Sequence, residues 1–324
     1  MRALVTGGTG FIGSHLIDHL LDEKNVNVYA LVRDLKNLRW IKGLDVHLLN
    51  GDLFSIPSLP NDIDYIFHIA GITKARQLAD YYTVNQHGTA SLFQSLRAQK
   101  CRPKKVFFLS STAAAGPSQD GSPVKEDDEP KPVTDYGKSK LYGEREALAF
   151  KEDFPLVILR VGAVYGPRDE DFLSYFKSIK KGILLSQASQ NSKYHLCYIK
   201  DLIHSFDLCI EKDLRSGEII NIADPKHTTW EEFGKVAGEI LGKKQLTIRC
   251  PSFVLKAAAV AWEGAAAITQ KPSTFNRDKL KAIMQTNWYA DTKKAEQLLS
   301  FAPRYSLKSG LRETLTWYIN QGWL

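Results

Sequence analysis

The chain has 324 residues, of which 44% are apolar and 24% are charged, and its formal net charge is +7. This composition is typical of a globular protein with one large or two modest domains, and it excludes a fibrous or disordered chain. The positive charge is spread along the sequence and no basic cluster is interleaved with aromatic residues, so we expect no nucleic-acid partner. The four cysteines are scattered, as in a reduced cytoplasmic protein; they are Cys101, Cys197, Cys209 and Cys250.

Neither a signal peptide nor a membrane span is expected. The N-terminus passes directly into an apolar run that is typical of a strand. The most apolar later stretch, residues 253–268, is short for a span and is interrupted by Lys256 and Glu263. We predict a packed helix there, with contact to a membrane surface as the alternative.

The first elements predict a dinucleotide site. Residues 2–6 read as a strand, 7–13 as a glycine-rich turn, and the residues from Ser14 onward as a helix. In this context the glycines allow a tight turn and close approach of the backbone to a pyrophosphate at the helix N-terminus. The alternative is a glycine-rich turn without a ligand. The predicted contacts in this segment are Gly7, Thr9, Gly10, Phe11 and Ile12.

Strands alternate with helices along the first two-thirds of the chain. This order predicts an α/β fold with a doubly wound parallel sheet of the Rossmann type. Further strands are predicted at 26–32, 46–49, 65–70, 105–110, 156–161 and 218–222, and helices at 82–99 and 138–150. From about Gly166 the pattern changes, and residues 168–182, 228–242 and 251–324 read as mostly helical or irregular. We therefore expect a nucleotide-binding domain at 1–165 with about 199–223, and a smaller substrate lobe at about 166–198 and 224–324.

The end of the second predicted strand bears on the choice of nucleotide. An acidic residue is usual there when the ribose carries a free 2′-hydroxyl. Arg33 occupies this position and Lys36 follows, and a guanidinium can hold a 2′-phosphate. We predict NADP, with NAD possible through Asp34. Asp52, after the third strand, either accepts a hydrogen bond from the adenine amino group or caps the next turn.

Tyr136 and Lys140 are four residues apart, which places them on one face of a helix. A nearby ammonium favours a phenolate, so we expect Lys140 to lower the pKa of Tyr136. The preceding strand ends in hydroxyl residues, and one of them can hold a substrate carbonyl oxygen while Tyr136 exchanges its proton. The alternatives are a solvated helix face and hydroxyls that satisfy the strand end. The hydroxyl residues are Ser110, Ser111 and Thr112.

Taken together, these motifs resemble the extended short-chain dehydrogenase/reductases, also called the NAD-dependent epimerase/dehydratase family. The resemblance covers 6–13, 51–53, 68–71, 85–89, the serine strand end, 136–140 and 160–168. It implies that Ser111, with Thr112 as a near alternative, orients the substrate oxygen, that Tyr136 is the acid/base, and that Lys140 is its partner. Asn85 matches a position with a structural role that pins the region of the fourth strand. Further cofactor contacts are implied for Leu53, Ala70, Gly71 and Val161.

The resemblance implies reversible hydride transfer between a nicotinamide and a ketone or secondary alcohol. Thr112 and Ala113 stand where dehydratases carry an acidic pair, and Ala163 replaces an asparagine that is common in sugar-nucleotide enzymes. The segments 32–34 and 317–324 are similar to dihydroflavonol reductases and to β-hydroxysteroid-dehydrogenase-like reductases. We therefore predict an oxidoreductase of a small apolar carbonyl or alcohol substrate. A nucleotide-sugar 4-epimerase and a non-catalytic NADP-binding scaffold or sensor are the alternatives, and the family resemblance implies a homodimer.

Overall fold

The computed structural model describes residues 1–187, 192–269 and 277–324. The strands within these residues are β1 Arg2–Thr6, β2 Asn27–Val32, β3 Val46–Asn50, β4 Tyr65–His68, β5 Lys105–Ser111, β6 Leu156–Val161, β7 Ala163–Tyr165, β8 Ile183–Gln187, β9 Lys193–Tyr194, β10 Leu196–Tyr198, β11 Glu218–Ile222, β12 Thr228–Thr229, β13 Leu246–Cys250 and β14 Asn287–Trp288. The α-helices are α1 Phe11–Asp22, α2 Leu78–Tyr81, α3 Gly88–Ala98, α4 Thr112–Ala115, α5 Asp135–Leu148, α6 Leu173–Lys180, α7 Ile199–Glu211, α8 Trp230–Ile240, α9 Ser252–Thr269, α10 Arg277–Ile283, α11 Lys293–Leu299 and α12 Leu307–Asn320.

Seven strands form one parallel sheet in the order β11-β6-β5-β4-β1-β2-β3. The chain moves outward from β1 through β2 to β3 and then continues with β4 on the other side of β1. The direction of winding therefore reverses between β1 and β4, and the carboxyl ends of these strands border a crevice where ligands bind in such sheets. The predicted doubly wound Rossmann-type fold is confirmed.

Both faces of this sheet are covered, which explains why its strands read as nearly continuous apolar runs. Side chains alternate along β1, so Ala3 and Val5 pack on the face covered by α1, whereas Leu4 packs on the face covered by α3. All three side chains are fully buried. The apolar core is thus divided into two layers by the sheet.

The strands predicted for the large sheet end within two residues of their predicted positions. β11 pairs with β6 at the edge, which confirms that the chain returns to the sheet near Glu218. The helix predicted at 138–150 begins earlier, at Asp135, because the Thr134 hydroxyl accepts a hydrogen bond from the N–H of Gly137 at 2.9 Å. The helix predicted at 82–99 begins instead as a π-helical turn, Tyr82–His87.

Outside the large sheet the chain forms helices and three small sheets, β10–β7, β12–β9–β14 and β13–β8. These short strands were not predicted. The helix predicted at 253–268 forms as part of α9, where Ala259 is fully buried but Phe253 is 72% exposed. The side chains of residues 263–268, which bear on the same prediction, lie outside the described residues. Among the described ranges, no helix combines the length and the apolar character that crossing a bilayer requires.

Candidate functional site

The turn between β1 and α1 requires glycine at two positions. Gly7 has a φ of +75°, and a Cβ there would lie 2.7 Å from the backbone nitrogen of Ala70. A Cβ at Gly13 would lie 2.3 Å from the carbonyl oxygen of Gly7. Both contacts are too short for a side chain, so these glycines allow β1, α1 and the segment after β4 to approach closely.

The N-terminus of α1 carries no side-chain cap. Gly10 is the N-cap residue and offers no acceptor to the N–H groups of the first turn. These groups have no partner within the helix, and the helix dipole adds positive potential at this end. Phosphate oxygens are suitable acceptors, so the turn that includes Thr9, Phe11 and Ile12 fits the pyrophosphate of a dinucleotide.

A buried chain of hydrogen bonds fixes the neighbouring end of β4. The Thr89 hydroxyl donates to the carbonyl of Asn85 at 2.8 Å, so it accepts from Nε2 of His68 at 2.9 Å. The Thr6 hydroxyl accepts from the N–H of Ala70 at 3.2 Å and donates to Nδ1 of His68 at 2.9 Å. Burial lowers the pKa of His68 to about 3, so the ring stays neutral. This network holds Ala70 against the glycine turn.

Asn85 lies in the π-helical turn and connects the segment after β4 to the helix α5. Its side chain donates to the carbonyl of Ile72 at 3.1 Å and accepts from the N–H of Ile72 at 2.9 Å. The same amide donates to the Ser139 hydroxyl at 2.9 Å, and Ser139 donates to the carbonyl of Tyr136 at 2.7 Å. The pinning role predicted for Asn85 is confirmed by these contacts.

The structure brings Ser111, Tyr136 and Lys140 to the carboxyl end of β5. The hydroxyl of Ser111 lies near that of Tyr136 and acts on the pKa of Tyr136 as a hydrogen-bond partner. Ser111 also accepts from the N–H of Ala113 at 3.1 Å, so it caps α4 as well. Lys140 is buried, and its Nζ donates to the carbonyl of Leu109 at 2.7 Å. The hydroxyl that meets Tyr136 is thus that of Ser111, while Thr112 begins α4.

The expected lowering of the Tyr136 pKa is wrong. Burial raises the pKa of Tyr136 to about 12, and the hydrogen bond from Ser111 opposes this only in part. The charge of Asp171 raises the pKa further. Burial also lowers the pKa of Lys140 to about 8, against the charge of Glu144. At neutral pH the site therefore holds a neutral phenol beside a lysine that is still mostly charged.

An ion pair that sequence reasoning missed lies behind the helix α5. The carboxylate of Glu144 receives two bonds from Arg160, Nε to Oε1 at 2.9 Å and Nη2 to Oε2 at 2.7 Å. The Ser110 hydroxyl donates to the same carboxylate, so Ser110 faces away from Tyr136. Glu144 and Arg160 are 1% and 2% exposed. Glu144 follows Lys140 by four residues, and this spacing could have placed the two side chains on one face of the helix. It does not indicate Arg160.

Two acidic residues from distant segments border Tyr136. Asp278 on α10 is buried and accepts from the N–H of Asp135 at 2.8 Å and from the N–H of Tyr136 at 3.2 Å. It therefore caps the first turn of α5. Asp171 forms an ion pair with Lys74, which lies in the segment after β4. Nothing in the local sequence indicated either residue.

The residues predicted to contact the nucleotide lie at the ends of β2 and β3. Arg33 is exposed and makes no ion pair within the described residues. This state is compatible both with a contact to the nucleotide and with a solvated strand end. Asp34 accepts from the N–H of Lys36 at 2.9 Å and so is engaged in a turn. Asp52 accepts from the N–H groups of Phe54 and Ser55, which is the turn-capping alternative; the adenine contact stays a prediction.

The remaining predicted contacts lie around the crevice. A Cβ at Gly71 would lie 3.0 Å from Oδ1 of Asn85 and 3.8 Å from Nζ of Lys140. Val161 ends β6 and is paired in register with Ser111. Leu53 is buried against Gly88, where it contributes to the core rather than to an open surface.

The comparisons with known proteins agree with this geometry. The sequence model of the NAD dependent epimerase/dehydratase family matches residues 3–223. The chain is 27% identical to ceramide reductase of Caulobacter vibrioides, over 99% of this chain and 95% of that protein. It is 26% identical to the decarboxylating sterol-4-alpha-carboxylate 3-dehydrogenase of Schizosaccharomyces pombe, over 98% and 97%.

Among solved structures, the fold is similar to that of UDP-glucuronic acid 4-epimerase from Bacillus cereus in complex with UDP-glucuronic acid and NAD. The TM-score is 0.79 at 24% identity, over 99% of this chain and 100% of that one. The similarity extends over nearly all of both chains and supports the Rossmann-type fold. Since the family's sequence model covers more than half of the residues, the chain belongs to the NAD-dependent epimerase/dehydratase family.

Proposed function

We propose that this protein is an NAD(P)-dependent reductase of a ketone on an apolar substrate. The observation that carries the proposal is that Ser111 at the end of β5 meets Tyr136 and Lys140 on α5, with Tyr136 held in its neutral form. A neutral phenol has a proton to donate, and reduction of a carbonyl needs a proton on the oxygen.

A nicotinamide cofactor bound at the glycine turn would supply the hydride for the carbonyl carbon. The Tyr136 hydroxyl donates its proton to the carbonyl oxygen. Ser111 accepts from the backbone of Ala113 and keeps its own hydrogen, which in this mechanism turns from Tyr136 to the same carbonyl oxygen. The ammonium of Lys140 stabilises the phenolate that remains on Tyr136, and the buried site makes this interaction stronger than it would be in water.

Two features support an apolar substrate. Ala163 has no side chain that bonds a diphosphate, and Ala115 is a buried apolar residue of α4. Two similar proteins are also named for apolar substrates, namely ceramide reductase and sterol-4-alpha-carboxylate 3-dehydrogenase. As part of the proposal, residues 1–165 with about 199–223 hold the cofactor, and about 166–198 with 224–324 form the substrate lobe.

To test the reaction, the protein is incubated with reduced nicotinamide and each of a panel of ketones, and oxidation of the nicotinamide is measured by its loss of absorbance. The panel includes a long-chain keto amide and a 3-ketosteroid. Tyr136→Phe removes the proton donor, so we expect turnover to fall by about 10²- to 10⁴-fold. Tyr142→Phe, on the same helix, is the matched control and should keep its activity. Normal turnover in Tyr136→Phe would contradict the mechanism.

We propose NADP as the preferred cofactor because Arg33 is exposed and unpaired within the described residues, whereas Asp34 is engaged in a turn. Arg33→Ala should weaken NADPH binding by about tenfold or more and leave NADH binding nearly unchanged, since a charged hydrogen bond contributes about 1.5–3 kcal/mol. Arg102→Ala, at the opposite end of the sheet, is the control. Fluorescence titration with both nucleotides measures the change, and an unaltered preference would exclude Arg33 from recognition.

A nucleotide-sugar 4-epimerase is the second candidate, because the fold is similar to the Bacillus cereus epimerase over nearly all of the chain. An epimerase would interconvert UDP-glucose and UDP-galactose without net change of the cofactor. Chromatography of the sugar nucleotides after incubation distinguishes the two reactions, since a reductase leaves their ratio unchanged.

A further inference from the structure

The small sheet β13–β8 has one packed face and one uncovered face. Leu246 is paired in register with Ile183, and Ile248 with Leu185. Since side chains alternate along strands, these four residues share a face. Leu246, Leu185 and Ile248 are 68%, 45% and 40% exposed, whereas Leu184 on the opposite face is fully buried. Within the described residues, no element covers the outer face.

The helix α9 begins two residues after the end of β13 and carries further exposed apolar residues. Phe253 and Val254 in its first turn are 72% and 42% exposed, and Trp262 further along is 56% exposed. Single exposed apolar residues are ordinary on protein surfaces. A contiguous group that includes aromatic side chains indicates an interaction surface instead. We call the outer face of β13–β8 together with these α9 residues the apolar patch.

Lysines border the apolar patch at the start of both strands. Lys180 and Lys181 precede β8, and Lys243 and Lys244 precede β13. These two segments are adjacent, because the N–H of Leu246 donates to the carbonyl of Gly182 at 2.8 Å. The four lysines are exposed, and in the described parts of the chain none of them makes an ion pair. The patch is therefore apolar with an unneutralised basic border.

We propose that the apolar patch docks onto the surface of a lipid bilayer that contains anionic phospholipids. Aromatic and aliphatic side chains insert into the boundary between headgroups and acyl chains, while lysines beside them are attracted to anionic headgroups. A two-fold contact between copies would instead pair this patch with itself and bring the lysines of both chains into one interface.

The position of the patch also connects it to the candidate active site. The helix α9 packs against α10, which carries Asp278, the cap of the helix that holds Tyr136. Docking through α9 therefore places the site close to a membrane, where an apolar substrate would be concentrated. The docking itself does not depend on the proposed reaction, and its test needs neither substrate nor cofactor turnover.

The experiment is co-sedimentation of the full-length protein with vesicles of phosphatidylcholine alone or of equal parts phosphatidylcholine and phosphatidylglycerol. We expect binding to the anionic vesicles that weakens at high salt. Leu246→Ser should weaken it about tenfold, and Lys243→Gln with Lys244→Gln should weaken it about 25-fold, since each lysine contributes about fivefold. Leu298→Ser and Lys293→Gln are the matched controls on another surface.

Far-ultraviolet circular dichroism and the thermal midpoint verify that each variant is folded. The proposal is overturned if the wild-type protein does not bind anionic vesicles, or if the patch variants bind as tightly as the controls. It is also overturned if sedimentation velocity shows a dimer that Leu246→Ser dissociates, because a second copy would then cover the patch. None of these outcomes decides whether the protein reduces ketones.

Discussion

The large sheet and the small sheet β13–β8 differ in whether their apolar and neighbouring charged side chains are buried or exposed. In the large sheet, apart from the edge strand β3, apolar residues are covered on both faces, and charged groups such as Lys140, Glu144 and Arg160 are buried in or behind the candidate site. In the small sheet, apolar residues face outward and the neighbouring lysines are exposed. The large sheet is thus covered by elements of its own chain, whereas the outer face of the small sheet is left exposed and, as proposed above, docks onto a membrane surface.

Removal of one buried charge should have the largest effect. Glu144→Gln leaves the guanidinium of Arg160 without its counterion in a site from which water is excluded. We expect a loss of about 3–5 kcal/mol in the free energy of unfolding, measured by urea denaturation. Glu152→Gln, at an exposed position, should change it by less than about 0.5 kcal/mol. Equal values for the two variants would mean that the buried pair does not stabilise the large sheet.

A matched pair of leucines tests the comparison directly. Leu159 in β6 is fully buried, and Leu246 in β13 is 68% exposed. Leu159→Ala should lower the free energy of unfolding by about 2–5 kcal/mol, whereas Leu246→Ala should lower it by less than about 0.5 kcal/mol. A large loss for Leu246→Ala in urea denaturation would show that the outer face of the small sheet is covered in solution.

The smallest of these effects is expected from the buried Lys140, whose loss of a proton should make kcat depend on pH. Its pKa of about 8 means that the ammonium loses its proton as the pH rises past 8, while Tyr136, with a pKa of about 12, stays protonated. If the charge stabilises the phenolate, kcat for ketone reduction falls above pH 8 by up to about tenfold per pH unit. In Lys140→Arg, which stays charged, the fall should move to higher pH. A flat profile from pH 7 to 10 would contradict this role.

Much of the large sheet was predictable because its signals are local. Short apolar runs separated by helical segments gave the strands, and the glycines at 7 and 13 marked a turn that tolerates no side chain. The conjunction of a strand-end hydroxyl with Tyr136 and Lys140 was also predictable, because the carboxyl end of a strand and one face of a helix fix their approximate positions. The choice of Ser111 among the hydroxyls came from the family resemblance.

The rest depends on contacts between distant segments. Asp278 caps α5 from more than 140 residues away, and no pattern near Tyr136 indicates it. The pairing of Glu144 with Arg160 requires the register of β6 against α5. The direction of the Tyr136 pKa was wrong because burial, which a spacing argument does not contain, raises this pKa, and the charge of Asp171 raises it further. The strand β13 of the small sheet was missed because none of its residues is buried, so it lacks the continuous apolar run that marks the strands of the large sheet.

The uncapped first turn of α1 has a consequence for the lifetime of the protein. Gly10 leaves the helix without the stabilisation that a side-chain cap contributes, about 1 kcal/mol, so a bound phosphate group completes the fold as well as the site. Ligand at a hundred times its dissociation constant adds about 2.7 kcal/mol to stability. Resistance to proteolysis should then follow the supply of nucleotide in the cell. We therefore expect a chain without bound nucleotide to be cleared sooner, which couples the abundance of the protein to the supply of the nucleotide.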